Sequence, residues 1–159
     1  MPTPYAEHVG ADDPVNILRR SLDDYRALAA RMTPALWQQP WAAGKWTARE
    51  VMVHVAQWEL IFGVRLRCAL AVPNYAIEPL DQDPFMAIEA HAVDGPTAVA
   101  AFEGIRGMNL ALAAALTTVE RRHAVTHPER GQITVEDMLV TLAGHGVHHW
   151  KQLSGLAPS

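Results

Sequence analysis

The sequence predicts an all-α protein, a four-helix bundle formed by a single domain over residues 1–159. Four stretches repeat apolar residues at alternating spacings of three and four, and each stretch opens with a helix-start signal. The segments between them show no convincing strand alternation. Without a sheet to pack against, four amphipathic helices must bury their apolar stripes on one another. The core helices are expected at about residues 14–32, 47–72, 96–119 and 134–153.

The first two helices have clear start signals. Asp13 can cap the first helix, and Pro14 is tolerated at a position that needs no backbone N–H. The second helix opens at Thr47, whose spacing to Glu50 matches a capping box, and it should end before Pro73. The stripe of the first helix is continuous and consists of Val15, Leu18, Leu22, Tyr25, Ala29 and Met32.

The last two helices begin at Asp94-Gly95-Pro96 and at Thr134. Glu136 and Asp137 follow Thr134 in the first turn, where negative charge favours the positive end of the helix dipole. About twenty residues separate the second and third helices, which is long for a turn between neighbours. This long connection indicates one crossover between them.

Composition excludes several classes of protein. The chain has 13 basic and 17 acidic residues and a net charge of −4, with no Lys/Arg-rich helix, so nucleic acid is not an expected partner. Charged residues interrupt the apolar run from 51 to 72, which argues against a membrane span. Cys68 cannot form an internal disulfide and is expected to be buried, and the first residues lack a secretory signal. We therefore expect a cytoplasmic protein.

Histidines replace leucines on two of the stripes. His145 and His149 are four residues apart on the fourth helix, so both side chains point the same way and can chelate one ion. His54 lies on the inward stripe of the second helix and is the natural third ligand. Neutral imidazole binds Zn, Ni and Fe, and three such ligands leave open positions on the metal. These histidines predict a site for a divalent metal.

A purely structural role for each histidine has to be weighed against metal binding. A lone histidine on an apolar stripe is more often a hydrogen-bonded core residue, and the pair alone is evenly balanced between the two interpretations. Three buried imidazoles without a cation would all need partners together, which favours the metal. His148 departs from the stripe by about 100° and is assigned an outer position.

The other histidines are interpreted as loop residues. His123 and His127 are also four apart, but Pro128 and Gly131 follow at once, so a loop is expected there. His8 and His91 have no partners in sequence and are expected to be exposed.

Candidate catalytic residues are few. Glu50 could act as a base near His54, although its capping role already explains it. Asn109 occupies a stripe position where leucine is expected, and Glu59 and Arg65 lie near the inner side of the second helix. Each of these three could support the site or contact a substrate, but a solvated or locally satisfied polar group is the favoured interpretation of each.

Two stretches, Trp46-Thr-Ala-Arg-Glu-Val-Met-Val-His54 and the segment from Gly131 to Gln152, resemble the DinB-like superfamily, which includes the YfiT-type metal hydrolases. The resemblance covers essentially the whole chain in order. It implies a four-helix bundle in which one histidine of the second helix and an H-x-x-x-H pair of the last helix bind a divalent metal. Those positions are His54, His145 and His149. An aspartate often follows the first histidine of the pair, whereas this chain has Gly146, which puts support of the ligands by that side chain in question.

The resemblance also implies activities and an assembly. Some members of the superfamily are similar to S-transferases and isomerases that use low-molecular-weight thiols, and others are regarded as hydrolases. A metal-dependent enzyme acting on a small molecule or thiol is the first hypothesis, and a non-catalytic metal-binding or stress-response module is the alternative. A histidine-lined core without metal is a third. Family members often pair through helices, so a homodimer is expected.

Overall fold

The computed structural model describes residues 2–157, so the outermost ends of the expected domain, 1 and 158–159, lie outside the described residues. Four long helices form the bundle, which confirms the predicted fold class. All four begin within one residue of the predicted start. The elements in chain order are a 3-10 turn Ala6–His8, α1 Pro14–Ala29, α2 Pro34–Trp37, α3 Ala48–Ala71, α4 Gln82–Glu89, α5 Gly95–Ala115, α6 Thr118–Arg121, β1 Ala124–His127, β2 Gly131–Thr134 and α7 Val135–Ser154.

The helix starts are accurate because capping side chains fix them. The carboxylate of Asp13 accepts the backbone N–H of Val15, as expected for an N-cap. Thr47 and Glu50 form the predicted capping box of α3, with each side chain accepting the other residue's backbone N–H. Thr134 begins α7 in a capping box of the same kind, completed by Asp137.

The expectation of no strands is wrong between α6 and α7. Residues 124–127 and 131–134 pair as an antiparallel hairpin, in which Val125 lies opposite Ile133 and both are buried. Each strand has only four residues and one fully buried apolar side chain, which is too short for alternation to stand out in the sequence. Gly131 has a φ of +71°, which suits the turn because glycine adopts this conformation without strain.

Two apolar clusters mark the two ends of the bundle and give the direction of each helix. One cluster joins the late part of α1 and α7 to the early part of α3 and α5. The other joins the early part of α1 and α7 to the late part of α3 and α5. Thus α1 and α7 run one way, α3 and α5 run the other way, and the order along the chain is up-down-down-up. In cross-section α1 and α3 are diagonal, and each packs against both α5 and α7.

This topology explains the long connection between the second and third helices. Because α3 and α5 are adjacent and parallel, the chain must return along the whole bundle before α5 can start. Helix α3 has 24 residues, and a helix of that length spans about 36 Å. The connection makes the return as an irregular segment that contains the short helix α4, packed on α3. Within residues 2–157, none of the helices is long and apolar enough to cross a membrane.

A buried polar network lies inside the bundle between α1, α3 and α5. Arg106 donates two hydrogen bonds to the same carboxylate oxygen of Glu59, at 2.7 and 2.8 Å, and both side chains are 1% exposed. Arg106 also donates to the hydroxyl of Ser21 at 2.6 Å, and the amide of Asn109 donates to the other Glu59 oxygen at 2.9 Å. Burial of charge is tolerated here because each charged atom has hydrogen-bond partners.

We expect Arg106→Met to lower the free energy of unfolding by about 3–5 kcal/mol, because it leaves the Glu59 carboxylate buried without a cation. Urea unfolding followed by circular dichroism measures the change. The double variant Glu59→Leu/Arg106→Met should recover much of the loss, since no charge is then left unpaired. Arg20→Met is the matched control: its pair with Asp12 is exposed and should be worth less than about 1 kcal/mol. A loss for Arg106→Met no larger than the control's would contradict this account.

Candidate metal centre

The three predicted histidines meet inside the bundle. Helices α3 and α7 pack antiparallel, which places His54, in the first third of α3, opposite His145 and His149 in the second half of α7. The Nε2 atoms of His54 and His145 are 3.1 Å apart. One ring nitrogen from each of the three lies within 4.8 Å of the others. All three side chains are buried, and we call them the histidine triad.

The triad is in the protonation state that binds a metal. Burial lowers the pKa of His54 to about 3, helped by His149 and His148. Burial lowers the pKa of His149 to about 4, against an opposing hydrogen bond from Gln152. Burial, His149 and His54 hold the pKa of His145 well below its usual value. At neutral pH all three imidazoles are therefore uncharged, and a neutral imidazole has a free lone pair for a metal.

Hydrogen bonding indicates which nitrogens are free. The amide oxygen of Gln152 lies 2.8 Å from Nδ1 of His149, so the proton of this ring sits on Nδ1 and Nε2 offers its lone pair to the triad. Metal-binding histidines are commonly oriented by such a partner. Nδ1 of His54 is buried without a hydrogen-bond partner among the described residues. Nitrogens about 2.1 Å from one zinc ion are at most about 4.2 Å apart. The 3.1 Å pair of His54 and His145 is within that range, and the widest separation in the triad, up to 4.8 Å, would have to shorten when an ion binds.

His148 takes the outer position that its place on the helix predicted. It is half-buried, and its Nε2 lies 3.2 Å from the amide nitrogen of Gln152 rather than in the triad. His8 departs from expectation, since it is half-buried in the 3-10 turn and its ring packs 5.6 Å from that of His148. His91 is exposed, as expected.

The candidate catalytic residues lie away from the triad's open side. Glu50 is held in the capping box, with its carboxylate accepting from the backbone N–H of Thr47 at 2.7 Å. Asn109 is buried in the polar network of Glu59 and Arg106. None of these lines the cavity beside the histidines, whereas Arg65 does.

A cavity of about 210 Å³ opens onto His54 and His145. Its lining is partly aromatic and apolar and partly basic, and includes Trp58, Phe62, Arg65, Ile77, His127, Arg130, Ile133 and Met138. The interpretation of His127 as a residue of a simple loop is wrong, because the side chain belongs to strand β1 and lines this cavity. No pattern in the sequence singled out Arg130, which lies in the turn of the hairpin and lines the same cavity.

The amino-terminal segment covers part of the triad. The ring of Tyr5 lies edge-on to His145 with ring centres 5.6 Å apart. This contact requires glycine on α7, since a Cβ at Gly144 would lie 2.3 Å from the carbonyl oxygen of Tyr5. The segment therefore approaches the helix backbone directly and forms one side of the cavity.

The missing aspartate after His145 has little bearing on the triad. A Cβ at Gly146 would lie 3.2 Å from a guanidinium nitrogen of Arg106 and 3.9 Å from the Ser21 hydroxyl. Position 146 therefore faces the polar network, not the space between the histidines. Support for a ligand comes instead from Gln152, which holds His149.

A four-helix bundle in which one histidine of the second long helix meets an H-x-x-x-H pair of the last is the arrangement that the resemblance to the DinB-like superfamily implied. The model of the DinB superfamily matches residues 17–153, and the chain belongs to this superfamily. This membership confirms the resemblance seen in the two sequence stretches.

Relatives and solved structures agree with this assignment. The chain is 26% identical over 128 residues to "Putative metal-dependent hydrolase YfiT" of Bacillus subtilis, covering 79% of this chain and 72% of that protein. A "Putative metal-dependent hydrolase" of Oceanobacillus iheyensis is 25% identical and is matched over 66% of its length, with 72% of this chain covered.

The structure of the Bacillus subtilis YfiT protein, described as having "an unusual four-helix bundle topology", superposes with a TM-score of 0.81 at 23% identity, covering 90% of this chain and 83% of that one. The four-helix bundle protein TT2238 superposes with a TM-score of 0.64 at 22% identity, covering 89% and 96%. At these identities the likeness shows the fold.

The neutral triad predicts an acid-sensitive metal-free protein. An unfolded histidine has a pKa of about 6.5, above the folded values of about 3 for His54 and about 4 for His149. Below pH 6.5 the unfolded chain therefore binds more protons than the folded one. The contribution to stability is complete above about pH 7 and is lost as the pH falls toward 4, by up to about 1.4 kcal/mol per pH unit for each histidine.

Urea unfolding between pH 4 and 8, in the presence of chelator, measures this dependence. His54→Leu should lower the slope by up to one histidine's contribution, whereas the exposed control His91→Gln should leave it unchanged. An unaltered slope in His54→Leu would show that His54 does not titrate in the way described.

Proposed function

We propose that the chain binds one divalent metal ion through His54, His145 and His149 and works as a metal-dependent enzyme on a small molecule. The observation that supports this most directly is the convergence of three neutral, buried imidazoles beside an open cavity. Relatives named as metal-dependent hydrolases support the same class of activity. Three buried imidazoles without a cation would compete for few hydrogen-bond partners, as the unpartnered Nδ1 of His54 shows.

The residues around the triad have distinct roles in this proposal. A metal held by three neutral ligands supplies Lewis acidity and lowers the pKa of a bound water or thiol toward neutrality. Gln152 fixes the ring of His149 so that Nε2 faces the triad. Trp58 and Tyr5 pack against His145, with ring centres 6.0 and 5.6 Å away, and both also line the cavity. The cavity on the remaining side is where a substrate would approach.

Two reaction types fit this site. In a hydrolase the nucleophile is the activated water, and in an S-transferase it is the thiolate of a low-molecular-weight thiol. Names of relatives support the hydrolase. The superfamily resemblance implies both kinds of enzyme and does not separate them. The alternative is a metal-binding or stress-response module with the same bundle that turns nothing over.

We expect protein purified without a histidine tag to contain one divalent metal ion per chain, measured by inductively coupled plasma mass spectrometry. His145→Ala should abolish the stoichiometric metal, because it removes one of the three ligands. Metal at about 100 times its dissociation constant should stabilise the protein by about 2.7 kcal/mol, seen as a higher melting temperature that chelator reverses.

Two further variants serve as controls for the measurement of metal content. The exposed His91→Ala should retain full metal content, and His148→Ala tests whether the outer histidine contributes. A metal-free protein whose melting temperature responds neither to chelator nor to added zinc, nickel or iron would contradict the proposal and leave a histidine-lined core.

Activity separates the enzyme from the passive module. We expect the metal-loaded protein to accelerate either the hydrolysis of ester or amide substrates or the reaction of an electrophile with bacillithiol, mycothiol, glutathione or coenzyme A. Loss of that acceleration in His145→Ala, with His91→Ala unaffected, assigns it to the triad. A metal-loaded protein without acceleration across both panels would support the non-catalytic module.

A further inference from the structure

The cavity beside the triad is lined by both aromatic and basic side chains. Trp58 and Phe62 supply the aromatic surface, and Arg65, His127 and Arg130 supply the basic groups. No Asp or Glu lines the cavity among the described residues. A cavity with two guanidinium groups and no lining carboxylate favours a negatively charged occupant.

Arg130 has hydrogen-bonding capacity that the protein leaves unused. Its Nε is buried and has no hydrogen-bond partner among the described residues. One of its terminal nitrogens donates to the hydroxyl of Thr3 at 3.3 Å, and that hydroxyl donates to Asp137 at 2.7 Å. Asp137 is therefore hydrogen-bonded to Thr3 and not directly to Arg130, although the charge of Arg130 helps to lower the pKa of Asp137. No carboxylate of residues 2–157 lies within 4 Å of the Arg130 guanidinium as an ion pair. A buried donor without a partner costs free energy, which a bound acceptor would recover.

Arg65 is held in place without being neutralised. Its guanidinium carbon lies 5.6 Å from the ring centre of Trp58 and 5.9 Å from that of Phe62. One terminal nitrogen donates to the backbone carbonyl of Glu78 at 2.7 Å. Aromatic faces and a carbonyl position the group but carry no full negative charge, so its remaining N–H donors and its charge are available to a ligand.

His127 adds a neutral donor between the two arginines. Its Nδ1 accepts from the backbone N–H groups of Glu129 and Arg130, at 3.2 and 3.3 Å. The proton of the ring therefore sits on Nε2, which can donate. Burial lowers the pKa of His127, and Arg130 and Arg65 lower it further against the opposing effect of Glu129, so the ring is neutral at physiological pH.

We propose that this cavity binds a small organic anion, with its carboxylate or phosphate group on Arg65 and Arg130 and its apolar body against Trp58 and Phe62. The remaining end of such a molecule faces His54 and His145. A cavity of about 210 Å³ exceeds the roughly 150 Å³ that admits benzene, so a ring-sized body fits. The inference names the substrate class of the proposed enzyme and to that extent rests on the proposed function.

Isothermal titration of the full chain tests the proposal with three probes of one shape: 4-methylbenzoate, 4-methylphenyl phosphate and the neutral 4-methylbenzamide. We expect at least one anion to bind at least about tenfold more tightly than the amide, since hydrogen bonds to charged groups are the stronger ones. The tighter anion identifies the preferred headgroup. Each titration is made on metal-loaded and on chelator-treated protein, because a carboxylate or phosphate can also bind a metal directly.

Variants then locate the binding group. Arg65→Gln and Arg130→Gln should each weaken anion binding by at least about tenfold and leave amide binding unchanged. Arg65→Lys and Arg130→Lys keep the charge and should recover part of the affinity. Arg122→Gln is the matched control, since Arg122 is exposed and lies outside the cavity. A melting temperature close to that of the unmodified protein shows that a variant is folded. If Arg65→Gln does not fold, the result for Arg130→Gln decides the outcome.

Equal affinity for anions and amide, or unchanged affinity in both Gln variants, would overturn the proposal. Anion binding that disappears with chelator and persists in the Gln variants would also overturn it, because the anion would then bind only the metal. The two proposals can fail separately. If the protein holds no metal but still binds an anion through Arg65 and Arg130, the proposed metal-dependent function is wrong and this inference is supported.

Discussion

The buried ion pair of Glu59 and Arg106 is the constraint on which the arrangement of the bundle depends. Two charges without access to water are tolerable only if their partners are all in place, and those partners come from different helices: Ser21 from α1, Glu59 from α3 and Asn109 from α5. The α7 backbone approaches the same guanidinium at Gly146. Sliding α3 against α5 by one turn would leave a charge unpaired, whereas an apolar stripe would tolerate it. The polar network therefore fixes the register of α3, the helix that carries His54, against α1 and α5.

The helices were predictable because local chemistry sets them. Apolar spacing and the capping residues Asp13, Thr47 and Thr134 placed each start within one residue. Helix direction and neighbours were not predictable, since they depend on contacts between residues far apart in the chain. Asn109 was a polar residue on an apolar stripe and Glu59 lay near the inner side of its helix, and only the fold shows that they are partners 50 residues apart.

Some residues of the candidate site could likewise be predicted from the sequence, and others could not. His145 and His149 follow from spacing within one helix, and His54 needed both the bundle and the superfamily pattern to be placed with them. Arg130 and His127 could not be found from the sequence, because a hairpin of two four-residue strands brings them to the cavity and shows no clear periodicity. The homodimer and the cytoplasmic location stay predictions. The triad can thus be predicted from the sequence, whereas the basic residues that would bind a substrate are brought together only by the tertiary structure.

The close approach of Tyr5 to Gly144 has a practical consequence for work with this protein. Thr3 and Pro4, which precede it, lie at the cavity, with Thr3 bonded to Asp137 and Pro4 part of the lining. A segment fused before Thr3 therefore begins close to the cavity. A polyhistidine fusion there would bring foreign imidazoles next to the triad, where they could capture or share the ion. Metal content and inhibition by imidazole would then describe the fusion more than the protein, so an affinity handle belongs at the carboxyl end or should be cleaved.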